Sequence, residues 1–226
     1  LRRAARCPSA SSADAAALDT AAGRLAQAAA QERRLARLQE ARRLGNDAVK
    51  EGHWEHGAFC YEEGLHALWE EAGGSSSSSS SSSSGRLEPP SPEEAEAAGR
   101  RRGGTGGEEE ENGGLEAKLR EAEVAVLNNL ALCYLKGNAI TDWPPDPHRV
   151  VRLSDLAVFL DPGSAKAYFR KGQALQVLGR HREAEEALAA AQRLKPGDGE
   201  VRKALEEVRE ALSSHRSVRW SPAQRR

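Results

Sequence analysis

The sequence predicts an all-α protein, because its composition favours helices and small residues recur in it at fixed offsets. The 226 residues include 39 Ala and 24 Leu but only 10 Val, 3 Thr and 1 Ile. Since β-branched residues favour strands, their scarcity argues against a sizeable sheet. Leu, Ile, Val and Phe together make up only 38 of the 226 residues, which is few for a chain folded throughout. The composition therefore predicts helical segments mixed with segments that do not fold.

The charge balance and the cysteines argue against several classes of protein. With 33 Lys+Arg against 34 Asp+Glu, the formal net charge is -1, so the basic excess typical of nucleic-acid-binding proteins is missing. Cys7, Cys60 and Cys133 lie far apart, which predicts neither a disulfide framework nor a zinc site and favours a reducing, cytoplasmic location. No apolar run approaches the roughly 18 residues that a membrane-spanning helix needs, so no membrane segment is expected.

The first segment, residues 1–37, is rich in Ala and Arg and poor in acids. We predict a frayed helical lead-in, although an organelle transit peptide has a similar composition. The chain starts at Leu1 and contains no Met, which suggests a piece of a longer reading frame.

Two later segments, residues 38–72 and 163–196, share one pattern of small and large side chains. Trp54 follows Gly45 by nine residues, and His181 follows Gly172 by nine. Further matching positions are Gly57, Tyr61 and Gly64 in the first segment, and Ala184, Leu188 and Ala191 in the second. Small residues at fixed offsets allow two helices to approach closely, so each segment is predicted to form a helical hairpin.

A middle segment, residues 115–162, fits the same pattern with a longer turn. Ala131 takes the position of Gly45, and Tyr134 follows three residues later. Tyr134 and Val150 are 16 residues apart, where the equivalent Leu175 and Ala184 are 9 apart. Seven extra residues, including the prolines of WPPDP, are therefore placed between the two helices, where proline is tolerated.

The remaining segments separate or cover these hairpins. Residues 73–114 contain ten consecutive serines, 75–84, and have almost nothing to bury, which predicts a flexible insertion. Residues 197–214 are apolar at helical spacing and are predicted to form a capping helix. Residues 215–226 are predicted to be a basic tail.

The three hairpins resemble the tetratricopeptide repeat (TPR), a helix-turn-helix of about 34 residues. The resemblance covers roughly residues 38–214. It implies an α-solenoid of three helical hairpins followed by a C-terminal capping helix.

The first helix of each hairpin carries a polar face opposite its packing face. At about 100° per residue, one stripe contains five side chains that lack a carboxylate among them. These side chains supply three cations and two amides, and their natural ligand is an anion with several acceptor oxygens, such as a peptide end with two carboxylates. The five residues are Arg42, Asn46, Asn129, Lys166 and Arg170.

This set is similar to the two-carboxylate clamp of TPR co-chaperones and large immunophilins, through the motifs RRLGN, LNNLA and KAYFRK. The resemblance implies that Arg42, Asn46 and Asn129 hold the terminal carboxylate of a Glu-Glu-Val-Asp peptide, whereas Lys166 and Arg170 hold the final Asp side chain. Arg42 stands where the family usually has Lys, and these cations are not interchangeable. Either the affinity is reduced or the neighbouring Arg43 shifts into its place.

The function expected from this resemblance is a non-catalytic adaptor that docks the acidic C-terminus of seventy- or ninety-kilodalton heat-shock chaperones. Two alternatives stay open: the TPR portion of a peptidyl-prolyl isomerase, or a chaperone-docking receptor on an organelle. No catalytic residue, cofactor or metal site is predicted. His53, His56 and Cys60 straddle a turn and lack a second pair of ligands, so surface and packing roles are expected for them.

Overall fold

The computed structural model describes residues 12–71, 110–137 and 143–219, and these ranges contain seven helices. Residues 1–11, most of the insertion and the end of the basic tail lie outside the described residues. The helices are α1 (Ser12–Lys50), α2 (Trp54–Glu71), α3 (Glu110–Lys136), α4 (Pro147–Leu160), α5 (Ala165–Val177), α6 (His181–Leu194) and α7 (Gly199–Arg219).

The first and third hairpins have short turns of equal length. Residues 51–53 join α1 to α2, and residues 178–180 join α5 to α6. Each turn contains a glycine with a positive φ, 86° at Gly52 and 72° at Gly179. Because side chains disfavour this left-handed conformation, glycine is the residue that ends the first helix of each pair here.

Close helix contacts explain why small residues recur in the hairpins. A Cβ atom at Gly45 would lie 2.4 Å from Cε1 of Tyr61, and one at Gly172 would lie 2.6 Å from Cγ of Leu188. The two glycines and their large partners occupy equivalent positions in the two sequences. The hairpins predicted from these offsets are therefore confirmed, and the helices of each pair pack backbone against side chain.

The second hairpin has the long turn that the sequence predicts. Residues 137–146 separate α3 from α4, which is seven more than the three-residue turns of the other hairpins. The end of this turn is held in place. The backbone N–H of Asp146 donates to the Tyr134 carbonyl at 2.9 Å. The Asp146 carboxylate accepts from the backbone N–H of Arg149 at 3.0 Å, so Asp146 is the N-cap of α4. Trp143 is buried, with its ring 5.2 Å from that of Tyr134.

Successive hairpins stack to form an all-α solenoid, as predicted. Helix α3 packs against α1 and α2, α5 packs against α3 and α4, and α7 packs against α6. The first two hairpins share one apolar core, and the third shares another with α7. Val201, Leu205 and Val208 of α7 are buried in this second core, so α7 covers the last apolar face of the stack.

Three helices extend beyond the boundaries that the sequence predicts. Helix α7 ends at Arg219, so it includes residues 215–219 of the predicted basic tail. Helix α1 begins at Ser12 and passes without a break from the lead-in into the first hairpin. Part of this extension packs against the fold: Gln31 is 6% exposed and donates from Nε2 to Oε1 of Glu116 at 3.1 Å. Helix α3 begins at Glu110, so it includes residues 110–114 of the predicted insertion. The lead-in is therefore helical from Ser12 onward, and around Gln31 it packs against the stack.

Candidate functional site

The five candidate residues lie on the first helices of the three hairpins, and we call this set the docking face. Helix α1 carries Arg42 and Asn46, α3 carries Asn129, and α5 carries Lys166 and Arg170. Within α1 and α5 the two residues are four positions apart, so they share one face of the helix. Because α1 packs on α3 and α3 packs on α5, the three helices lie side by side in the stack.

The structure brings Asn46 and Asn129, which we call the amide pair, into direct contact. Nδ2 of Asn129 donates to Oδ1 of Asn46 at 2.9 Å across 83 positions of the chain. The same oxygen accepts a second hydrogen bond, 2.8 Å long, from the hydroxyl of Tyr61 on α2. Nδ2 of Asn46 has no hydrogen-bond partner among the described residues. The amide pair therefore presents an open N–H donor.

Tyr61 is the residue of this site that sequence reasoning missed. The sequence predicts only that Tyr61 fills a packing position, and its side chain is indeed 1% exposed. Burial raises the pKa of Tyr61 to about 12, while the nearby Asn129 side-chain amide and the charge of Arg42 act in the opposite direction. A signal for its role was present, since the hydroxyl of a buried tyrosine needs a polar partner.

Arg42 and Arg43 are distinguished by their ion pairs. The guanidinium of Arg43 lies 2.7 Å from Glu40 and 3.4 Å from Asp47, so carboxylates of its own helix hold it. Arg42 is exposed and makes no hydrogen bond or ion pair with any described residue. Arg42 is therefore unpaired among the described residues, whereas Arg43 would have to leave its two ion pairs to take the place of Arg42.

The two cations of α5 differ in their surroundings. Nη1 of Arg170 donates to Oε1 of Gln173 at 2.8 Å, and its Cζ lies 5.6 Å from the centroid of the Phe169 ring. Burial lowers the pKa of Arg170, and the charge of Glu200 on α7 opposes this shift. Lys166 is exposed and has no partner among the described residues. Neither cation hydrogen-bonds to the amide pair, so the docking face has two separate parts.

A buried ion pair that the sequence did not predict ties the first two hairpins together. Nη2 of Arg149 lies 2.8 Å from Oε1 of Glu62, and Arg149 is only 3% exposed. The hydroxyl of Tyr134 donates to the same carboxylate oxygen, and Cζ of Arg149 lies 4.7 Å from the Tyr134 ring centroid. Because these groups neutralise one another away from water, they fix how α2 and α4 sit on α3.

Metal-ligating side chains are not grouped together among the described residues. Within 12–71, 110–137 and 143–219, no three His, Cys, Asp or Glu side chains form a group that could hold a metal ion. Nε2 of His56 lies 3.9 Å from Sγ of Cys60, and Nδ1 of His53 lies 3.5 Å from Glu51. Cys133 is fully buried, and burial raises its pKa to about 12, so its thiol stays protonated. Helices of this part of the chain are also too short or too polar to cross a membrane.

Comparison with known proteins identifies the fold. No protein-family model and no curated protein matches the chain. Among solved structures, the C-terminal TPR-containing domain of a Plasmodium falciparum protein described as FK506-binding superposes with a TM-score of 0.56 at 18% identity. The match covers 83% of this chain and 95% of that domain. The chain has the fold of a tetratricopeptide repeat domain.

Two further TPR structures are similar at lower TM-scores. The TPR domain of Arabidopsis OM64 gives a TM-score of 0.49 at 17% identity, covering 79% of this chain and 98% of that one. The second TPR domain of human RPAP3 gives a TM-score of 0.45 at 20% identity, and the match covers 76% of this chain and 95% of that domain. That RPAP3 domain was solved with an HSP70 peptide, SGPTIEEVD. In our TPR domain, the docking face lies on the first helix of each repeat.

Proposed function

We propose that this TPR domain is a non-catalytic docking module for the acidic C-terminal peptide of seventy- or ninety-kilodalton heat-shock chaperones, which ends in Glu-Glu-Val-Asp. The observation that carries the proposal is the amide pair. Asn46 of the first repeat and Asn129 of the second meet at 2.9 Å and leave an N–H donor open, with the cation of Arg42 on the same helix. An open donor beside a cation suits a carboxylate.

The proposed roles follow from the two parts of the docking face. Arg42 and the amide pair would bind the main-chain carboxylate at the end of the peptide. Lys166 and Arg170 would bind the side-chain carboxylate of the final Asp. Arg170 should contribute more to peptide binding than Lys166. A charge held away from water attracts an incoming anion more strongly than an exposed charge does.

The test is a calorimetric titration with two peptides of identical sequence ending in Glu-Glu-Val-Asp, one with a free C-terminal acid and one amidated. We expect the free acid to bind at least tenfold more tightly, since the amide lacks the main-chain charge. Asn46→Asp keeps the size of the side chain but replaces the open donor with a carboxylate, so it should abolish this preference. Gln192→Glu adds the same charge on α6 and serves as the control. Equal affinity for the two peptides would remove the proposal.

We also propose that the protein works in the cytoplasm. Cys60 and Cys133 are free thiols in the structure, which is the usual state in a reducing compartment. Fluorescence imaging of the tagged full-length protein tests the location. A signal confined to an organelle would contradict the proposal.

A further inference from the structure

The hydroxyl of Tyr61 is the only part of that side chain that packing does not explain. Its ring lies against the backbone of Gly45, where an added Cβ would be 2.4 Å from Cε1. This contact places the phenol next to Asn46, the residue that follows Gly45. As a result, the Tyr61 hydroxyl on α2 lies beside the Asn46 side chain on α1, which would contact the proposed ligand.

The hydrogen bonds of Asn46 correspond to one orientation of its side-chain amide. Its Oδ1 accepts from the Tyr61 hydroxyl at 2.8 Å and from Nδ2 of Asn129 at 2.9 Å. If the amide were turned over, its NH₂ group would face the NH₂ donor of Asn129. With Oδ1 directed at these donors, Nδ2 remains open.

The orientation matters because the two ends of an amide act oppositely on an anion. The NH₂ group donates a hydrogen bond to a carboxylate, whereas the amide oxygen repels it. We propose that the Tyr61 hydroxyl is a positioning group of the docking face, which holds the Asn46 amide with its NH₂ outward. This inference rests on the proposed function and adds a residue from the second helix of the first repeat.

The hydroxyl can serve as a donor throughout the ordinary pH range. Burial raises the pKa of Tyr61 to about 12, so the phenol keeps its proton near neutral pH. The hydroxyl is therefore available as a donor to Asn46 near neutral pH.

The test compares Tyr61→Phe with the wild type in calorimetric titrations of the free-acid and amidated Glu-Glu-Val-Asp peptides. Phenylalanine keeps the ring against Gly45 and removes only the hydroxyl. We expect a roughly five- to tenfold loss of affinity for the free acid, the range expected for one neutral hydrogen bond. Affinity for the amidated peptide should change little, so the preference for the free acid falls. Tyr168→Phe is the matched control, because the hydroxyl of Tyr168 on α5 makes no hydrogen bond with any described residue.

A second measurement separates this inference from the docking function. The side-chain NH₂ signals of Asn46 and Asn129 are recorded by NMR without peptide, and both should shift in Tyr61→Phe but not in Tyr168→Phe. If the wild type binds both peptides equally, the docking function fails, and these signals still decide whether Tyr61 orders the amide. Unchanged signals, or an unchanged preference for the free acid in Tyr61→Phe, would overturn the inference.

Discussion

The two parts of the docking face are built in different ways. At the amide end, Asn46, Asn129 and Tyr61 come from three helices and hydrogen-bond to one another. At the α5 end, Lys166 and Arg170 come from one helix, and Lys166 has no partner among the described residues. Hydrogen bonds fix the side-chain positions at the amide end before a ligand binds. The α5 end mainly supplies positive charge. The amide end should therefore be sensitive to how the repeats stack, and the α5 end to the loss of individual cations.

The largest expected effect concerns the buried ion pair that supports the stacking of the first two repeats. Glu62→Ala leaves the guanidinium of Arg149, which is 3% exposed, without its carboxylate. Stranding a buried charge costs about 3–5 kcal/mol, so the free energy of unfolding should fall by that amount in urea denaturation. Glu40→Ala breaks the exposed pair with Arg43 and should leave the stability almost unchanged. Similar losses in the two variants would mean that the Arg149 pair does not support the stack.

A second effect on stability appears at alkaline pH and falls on the amide end. The pKa of Tyr61 is raised from 10.0 to about 12 by burial, so the folded state holds this proton more tightly than the unfolded state does. The stabilisation is complete below pH 10 and is lost as the pH rises toward 12. Between pH 9.5 and 11.5, the wild type should lose about 2 kcal/mol more of its unfolding free energy than Tyr61→Phe does. Urea denaturation at the two pH values measures this, and parallel losses would contradict the assignment.

The α5 end should respond most strongly to the loss of its partly buried cation. Arg170→Ala removes a guanidinium from a desolvated position, so a carboxylate bound there would lose its partner. We expect the binding free energy for the Glu-Glu-Val-Asp peptide to weaken by about 2–3 kcal/mol, measured by calorimetry. Arg180→Ala removes an exposed arginine paired with Glu183 and should bind as the wild type does. If Arg170→Ala also binds normally, the second carboxylate is not held at this end.

The sequence predicted features that depend on local spacing. Gly45 and Gly172 mark close helix contacts at equal offsets, and the seven extra residues of the second hairpin follow from counting. The sequence predicted a helical lead-in but not that it would join the first hairpin as one unbroken helix, because an Ala-rich segment without a turn signal gives no boundary. The pairing of Glu62 with Arg149 spans 87 positions, and no local pattern reports such a contact. A helical stripe identified the candidate residues on α1, α3 and α5, but it could not include Tyr61, which reaches the site from α2.

The smallest effect is expected at Lys166, and it tests whether the two cations of α5 differ as their surroundings suggest. Lys166 is exposed, so its attraction to a carboxylate is weakened by water and salt. Lys166→Ala should weaken peptide binding by about 1 kcal/mol or less at physiological salt, and by more in dilute buffer. Lys195→Ala, which removes a surface lysine beside α7, is the control. A loss as large as that of Arg170→Ala and independent of salt would show that the peptide buries Lys166 on binding, in which case the α5 end would be ordered by its ligand.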